Sequence, residues 1–205
     1  MIINDPNAIE ARSMEIIESE LTVDIPEENK AVVKRVIHCT ADFDYADNLA
    51  FSDGVCAIAI EALKSGCDIV TDTNMAKSGI SKTVAAKLGC EIHCFMSDPD
   101  VAEIAKERGC TRAVASMEKA AKLGKPVIFV VGNAPTALLA LRELIDAGTV
   151  KPELVIGVPV GFVNILEAKD AIMESGVHYI VARGRKGGSN VAAAIVNALM
   201  YQITR

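Results

Sequence analysis

Tyr179-Ile180-Val181-Ala182-Arg183-Gly184-Arg185-Lys186-Gly187-Gly188-Ser189, followed by the apolar, Ala-rich run 191–203, is the stretch from which the fold is read. A short apolar run leads into seven residues holding three cations and three glycines, and these lead into a run long enough for a helix. The order is strand, tight loop, helix. Such a loop offers backbone N–H groups and fixed positive charge at a helix N-terminus, an arrangement that binds anions. The whole chain is acidic, with 21 basic and 27 acidic residues and a net charge of −6, so the cationic loop is a local feature.

The same alternation extends back from this unit. Apolar, β-branched runs occur at 68–71, 92–95, 127–131 and 154–158, with helical stretches between them. Asp98-Pro99 places a capping residue before proline at a first helical position. Pro135 opens another helix, which runs to 147 and is ended by Gly148. Together with 179–182 these runs predict an α/β fold: three layers around a mostly parallel five-stranded sheet, with helices on both faces. The N-terminal third reads as helical. One helix spans 8–20. A second starts at Pro26, shows Val32, Val33, Val36 and Ile37 on one face, and ends near His38 to Thr40. A third covers 53–65 and is ended by Gly66. Without a linker or repeat, residues 1–205 read as one domain.

Composition narrows the function. Net negative charge with no long basic tract argues against nucleic-acid binding, which relies on Lys and Arg neutralising phosphates. No apolar run approaches the roughly 20 residues needed to cross a bilayer. Residues 1–12 are mixed and polar, unlike a signal peptide. The expected location is cytoplasmic. The six cysteines include no Cys-x-x-Cys pair. Cys90 and Cys94, with His93 beside them, are either a metal site or thiols buried in a reducing compartment.

In open parallel sheets, ligands collect beyond the carboxyl ends of the strands. Three loops there are unusual: Gly132-Asn133-Ala134-Pro135-Thr136, Gly157-Val158-Pro159-Val160-Gly161-Phe162-Val163, and the cationic loop. Two are also helix starts, where free N–H groups favour negative charge. None matches a nucleotide-binding pattern. Ordinary turn chemistry is the competing explanation for each. His38, at a helix C-terminus near Asp42 and Asp44, suits an imidazole that donates a proton at neutral pH. The same position suits a C-capping histidine with no chemistry. Arg12 and Ser13 lie among glutamates on the first helix, where a solvated face is the default. Arg112 opens a helix against the dipole, which favours a functional role.

Five segments together resemble one family: Ala11-Arg12-Ser13; Val36-Ile37-His38-Cys39-Thr40-Ala41-Asp42-Phe43; Gly132-Asn133-Ala134-Pro135-Thr136-Ala137-Leu138; Gly157 to Val163; and Arg183 to Ser189. They occur in the order seen in the precorrin-8X / cobalt-precorrin-8 methylmutases of cobalamin biosynthesis. The resemblance runs over nearly the whole chain. It implies an isomerase that moves a methyl group from C-11 to C-12 of a corrinoid macrocycle, without redox cofactor or methyl donor. His38 would protonate a ring nitrogen and assist a 1,5-sigmatropic shift. Ser13, Arg12, Thr40 and Arg112 would lie at the substrate. So would Gly132, Asn133, Ala134, Thr136, Val160, Gly161, Arg183, Gly184, Arg185, Lys186, Gly187, Gly188 and Ser189. A homodimer is implied as well, and no metal site of the protein's own. The stretch Cys39-Thr40-Ala41-Asp42-Phe43 looks more like the cobalt-pathway members, so any cobalt would arrive within the substrate. Two other readings stay open: a corrinoid carrier without catalysis, and an enzyme of phosphorylated metabolites.

Overall fold

The computed structural model describes residues 4–204; Met1, Ile2, Ile3 and Arg205, the outer ends of the expected 1–205 domain, lie outside the described residues. The helical N-terminal part comprises α1 (Pro6–Glu20), α2 (Glu27–Thr40) and α3 (Tyr45–Asn48), followed by β1 (Leu49–Phe51) and α4 (Val55–Lys64). Then come β2 (Asp68–Thr71), α5 (Asn74–Gly79), α6 (Lys82–Lys87), β3 (Ile92–His93), α7 (Pro99–Arg108) and α8 (Arg112–Ala120). The chain ends with β4 (Val127–Val131), α9 (Pro135–Asp146), β5 (Leu154–Gly157), α10 (Ile165–Met173), β6 (Tyr179–Ala182) and α11 (Ser189–Thr204).

All five expected strands form, and they are parallel to one another. The sheet nevertheless has six strands, in the order β1-β6-β5-β4-β2-β3. The extra strand, β1, runs antiparallel to β6, with Leu49 opposite Ala182 and Phe51 opposite Ile180. Three residues are too few for alternation to announce a strand. The outer strand β3 is shorter than the expected run 92–95. Past His93 the chain leaves the ladder: the Phe95 ring stacks on His93 at 5.6 Å and lies under the Lys119 ammonium at 5.3 Å.

Helices cover both faces. On one, α2, α4, α5 and α6 gather around α11; on the other, α7 to α10 pack in sequence. Every residue of β2, β4 and β5 is buried, which is why these strands read as continuous apolar runs rather than alternating ones. Val32, Val33, Val36 and Ile37 of α2 are buried as their spacing predicts, each worth about 1.5–3 kcal/mol. The small residues of α11 permit close approach. A Cβ on Gly79 of α5 would come within 2.8 Å of the Ala193 methyl. Asp98 precedes α7 as expected but does not cap it. Its carboxylate accepts instead from Lys119 Nζ at 2.7 Å.

From β2 the chain crosses one face to reach β3; from β4 it crosses the other to reach β5. The connections diverge between β2 and β4, so the carboxyl ends of these two neighbours flank the crevice where ligand sites form in such sheets.

Candidate active site

At the crevice the protein supplies its own anion. Asp72, just past β2 and fully buried, accepts from the N–H groups of Gly132 (2.8 Å), Asn133 (2.9 Å) and Ala134 (2.7 Å). Burial pushes the Asp72 pKa up, and the three backbone donors pull it back down. The expectation that these N–H groups stand bare for a ligand is therefore corrected: an internal carboxylate consumes them, leaving Asn133 exposed and Ala134 and Thr136 partly so. Ser189 is also turned inward. Its hydroxyl lies 2.7 Å from Thr73 Oγ1. Gly132 presses on the start of α11, where a Cβ would be 2.8 Å from Ser189 Cα. Thr136 Oγ1 lies 3.0 Å from Thr111 Oγ1, which ties the start of α8, and the exposed Arg112, to this loop.

The next two loops along the edge are joined. Gly188 N donates to Val158 O at 2.8 Å and Gly161 N to Arg185 O at 3.3 Å. Gly187 has φ +157°, and a Cβ there would meet Val158 O at 2.1 Å. Residues 183–186 are exposed on the outer side. Arg185 lies over the exposed ring of Phe162, with Cζ 5.5 Å from its centroid. Val160 and Val163 are exposed beside it. The three cations are not equivalent. Lys186 Nζ donates at 2.6 Å to both Asp42 and Asp44, so it is paired rather than free. Those bonds raise the Lys186 pKa and lower that of Asp42. Arg183 and Arg185 form no ion pair among the described residues.

The same ion pairs draw the cationic loop to the end of α2, which carries His38. The imidazole is exposed and makes no hydrogen bond or ion pair among the described residues. Asp42 and Asp44, expected to tune it, are committed to Lys186 instead. His38 lines a pocket of about 280 Å³ with Ser13, Ile16, Ile17, Glu20, Ile37, Ala41 and Phe43. Ser13 Oγ donates back to Ile9 O at 2.8 Å, and Arg12 pairs with Glu15 in solvent. Thr40 Oγ1 donates to Val36 O and accepts from Asp42 N, shaping the turn out of α2. Cys39 Sγ approaches Asn190 O, a further tie between the end of α2 and the start of α11. A larger cavity of about 460 Å³, lined by Ala57, Ile58, Glu61, Ala62, Ser65, Pro126 and Glu153, has no cation or imidazole to match.

Two buried charges at this edge were missed in the sequence. One is Asp72. The other is Lys169 of α10, 1% exposed, whose Nζ donates to Gly184 O (2.8 Å) and Lys186 O (2.9 Å). Burial lowers its pKa to about 8. A signal was available: Lys169 falls on the apolar stripe of Ile165, Ala168 and Ile172, a position a solvated lysine avoids. The Cys90, Cys94 and His93 group does not assemble. Cys90 is buried, with its thiol on Leu63 O. His93 faces Asp68 and Glu91 at 3.6 and 3.8 Å, while Lys125 Nζ sits within 3.7 Å of both carboxylates. That ammonium already serves as the cation of the cluster.

The geometry is thus an exposed imidazole in a pocket at the end of α2, tied through Lys186 to the loop that carries Arg183 and Arg185. The precorrin-8X methylmutase family model matches residues 8–202. The chain belongs to this family. A cobalt-precorrin-8 methylmutase of Salmonella typhimurium is 46% identical over 98% of this chain and 97% of its own length. One from Leptospira interrogans is 42% identical, covering 94% and 91%. A precorrin-8X methylmutase of Pseudomonas aeruginosa is 38% identical, covering 96% of each. Among solved structures, the precorrin-8X methylmutase of Thermus thermophilus superposes with a TM-score of 0.88 at 39% identity, covering 96% of this chain and 98% of that one. The family that the quoted segments resemble is the family the chain belongs to. As a methylmutase the protein is an isomerase.

Proposed function

We propose that this chain, as one methylmutase domain over residues 1–205, moves a methyl group from C-11 to C-12 of cobalt-precorrin-8 or precorrin-8X, giving cobyrinate or hydrogenobyrinate in cobalamin biosynthesis. The observation that carries this reading is the placement of His38: it opens onto a pocket shared with Ser13, while Lys186 ties the neighbouring loop, with Arg183 and Arg185, to the turn that follows His38. A pocket of about 280 Å³ takes one part of a large flat ring, and the rest lies across the rim made by the loops after β4, β5 and β6.

The chemistry follows from the groups available. The His38 imidazolium donates a proton to a ring nitrogen, drawing electron density from the conjugated system. The C-11–methyl bond then breaks as the C-12–methyl bond forms in the 1,5-shift. The proton returns, and no electron is gained or lost overall. A positioned acid contributes about 10²- to 10⁴-fold; holding the ring in its reactive geometry supplies much of the rest. Arg183 and Arg185 suit the peripheral carboxylates, which a guanidinium can engage through two bonds. Val160, Val163 and Ala134 offer small apolar contacts to the ring. Arg112, beside Thr136, extends the rim.

The higher identities to relatives named for cobalt-precorrin-8 support the cobalt form as substrate. Cobalt then belongs to the substrate, and the protein contributes no cofactor. A homodimer in the cytoplasm completes the reading. The exposed Phe162 and Leu166 support it as surface that a second copy would cover, and no helix among the described residues is long and apolar enough to cross a membrane.

His38→Ala is the decisive variant. Its circular dichroism and product affinity should match wild type, with turnover lower by about 10²-fold or more. Wild-type turnover in the variant would remove the acid role. A wild-type protein that binds the ring without converting it would instead establish the carrier reading.

A further inference from the structure

Lys169 is not explained by the chemistry above. It is 1% exposed and has no carboxylate partner among the described residues. An ammonium in that position ordinarily forms an ion pair or loses its proton. This one is given two carbonyl oxygens, those of Gly184 and Lys186, both in the cationic loop. The arrangement has a stereochemical consequence. No peptide bond here is cis, and a planar trans peptide points its N–H opposite its C=O. Gly184 C=O shares its peptide unit with Arg185 N–H, and Lys186 C=O shares its unit with Gly187 N–H. With both carbonyls turned in toward Lys169, both N–H groups point away from it, at an exposed residue (Arg185) and a half-buried one (Gly187).

The hydrogen-bond pattern agrees. Arg183 N donates to Asn48 O and Gly188 N to Val158 O, whereas Arg185 N and Gly187 N donate to no group among the described residues. The two glycines the path requires are in place. Gly184 has φ +73°, and Gly187 lies so close to Val158 O that no side chain fits. Lys186 adds little free charge, because Asp42 and Asp44 hold it. The positive field at this point comes from Arg185 in front and the unneutralised Lys169 behind.

We propose that Lys169 is a positioning residue that shapes this loop into a carboxylate subsite, in which the N–H groups of Arg185 and Gly187 receive one peripheral carboxylate of the corrinoid. The subsite rests on the corrinoid reading above. Lys169 itself never touches the ligand: it sets the direction of two peptide units and adds charge from beneath. Its loss should therefore weaken binding and spare the chemical step, the reverse of His38→Ala.

The test uses the full chain labelled with nitrogen-15 and titrated with cobyrinic acid. In wild type the amide signals of Arg185 and Gly187 should move downfield in step with the visible-absorption titration. K169M should bind about 10- to 100-fold more weakly. Its amides at 185 and 187 should no longer respond, while those around His38 still do, and its KM should rise with kcat within about threefold. If product binds wild type and the two amides stay still, the subsite is wrong whether or not the variant folds. A K169M affinity equal to wild type overturns the positioning role. Inorganic phosphate moving the same amides at lower concentration than cobyrinic acid overturns the carboxylate assignment. Failure of wild type to bind cobyrinic acid at all would bring down the corrinoid reading, and the subsite with it.

Discussion

Ala41 closes α2 with φ +52° and ψ +30°, a left-handed conformation in a residue with a side chain, three positions after His38. The clash of Cβ with the following carbonyl makes this costly, and glycine is the usual solution. Ala41→Gly should stabilise the protein by about 1 kcal/mol, measured from urea unfolding; a less stable variant would mean that contacts of the Ala41 methyl outweigh the backbone cost. Ala41 lines the His38 pocket, so the strain sits at the candidate site, where strained residues tend to cluster. The place of His38 at the end of α2 was legible, since a histidine at a helix end needs only the helix to be recognised. Ala41 was not: nothing in Thr40-Ala41-Asp42 requires a positive φ. The pairing of Lys186 with Asp42 and Asp44 was equally hidden, because it joins positions more than 140 residues apart.

Among the elements, the buried parallel strands were readable and the edges were not. Runs such as 127–131 are apolar at every position because both faces are covered, and their short length excludes a helix. β1 is three residues on an antiparallel edge, defined by β6 rather than by its own pattern. The loops between elements show the same limit. Gly132-Asn133-Ala134 was identified as unusual, yet its N–H groups belong to Asp72, a partner just past β2 and far upstream in the chain. The junction of the loops after β5 and β6 turns on Gly187. Gly187→Ala would set a methyl against Val158 O and break the bond from Gly188 N to that same oxygen. The expected loss is about 1–3 kcal/mol of stability, with KM raised because both loops border the proposed site. A variant with unchanged melting temperature and unchanged KM would show that the two loops part without consequence.

Across the whole molecule, two charges of opposite sign, Asp72 and Lys169, are buried under the loops after β4 and β6, and burial shifts each toward its neutral form. Both therefore cost stability at neutral pH while they fix loop backbone, which is the trade expected where a site is held rigid at the expense of the fold. The cost is measurable through proton linkage. Lys169 titrates near 8 when folded and near 10.5 when free, so between these values the unfolded chain binds more protons and stability rises with pH. Lys30, Lys119 and Lys186 act in the opposite sense, because ion pairing raises their pKa and their contributions fade only at still higher pH. Comparison with K169M removes those common terms. The unfolding free energy of wild type minus that of K169M should be flat below pH 7 and then grow in favour of wild type from about pH 8 to pH 10, by at most about 1.4 kcal/mol per pH unit. A difference that is constant across this range would mean that Lys169 keeps an ordinary lysine pKa, and that its charge costs the fold nothing.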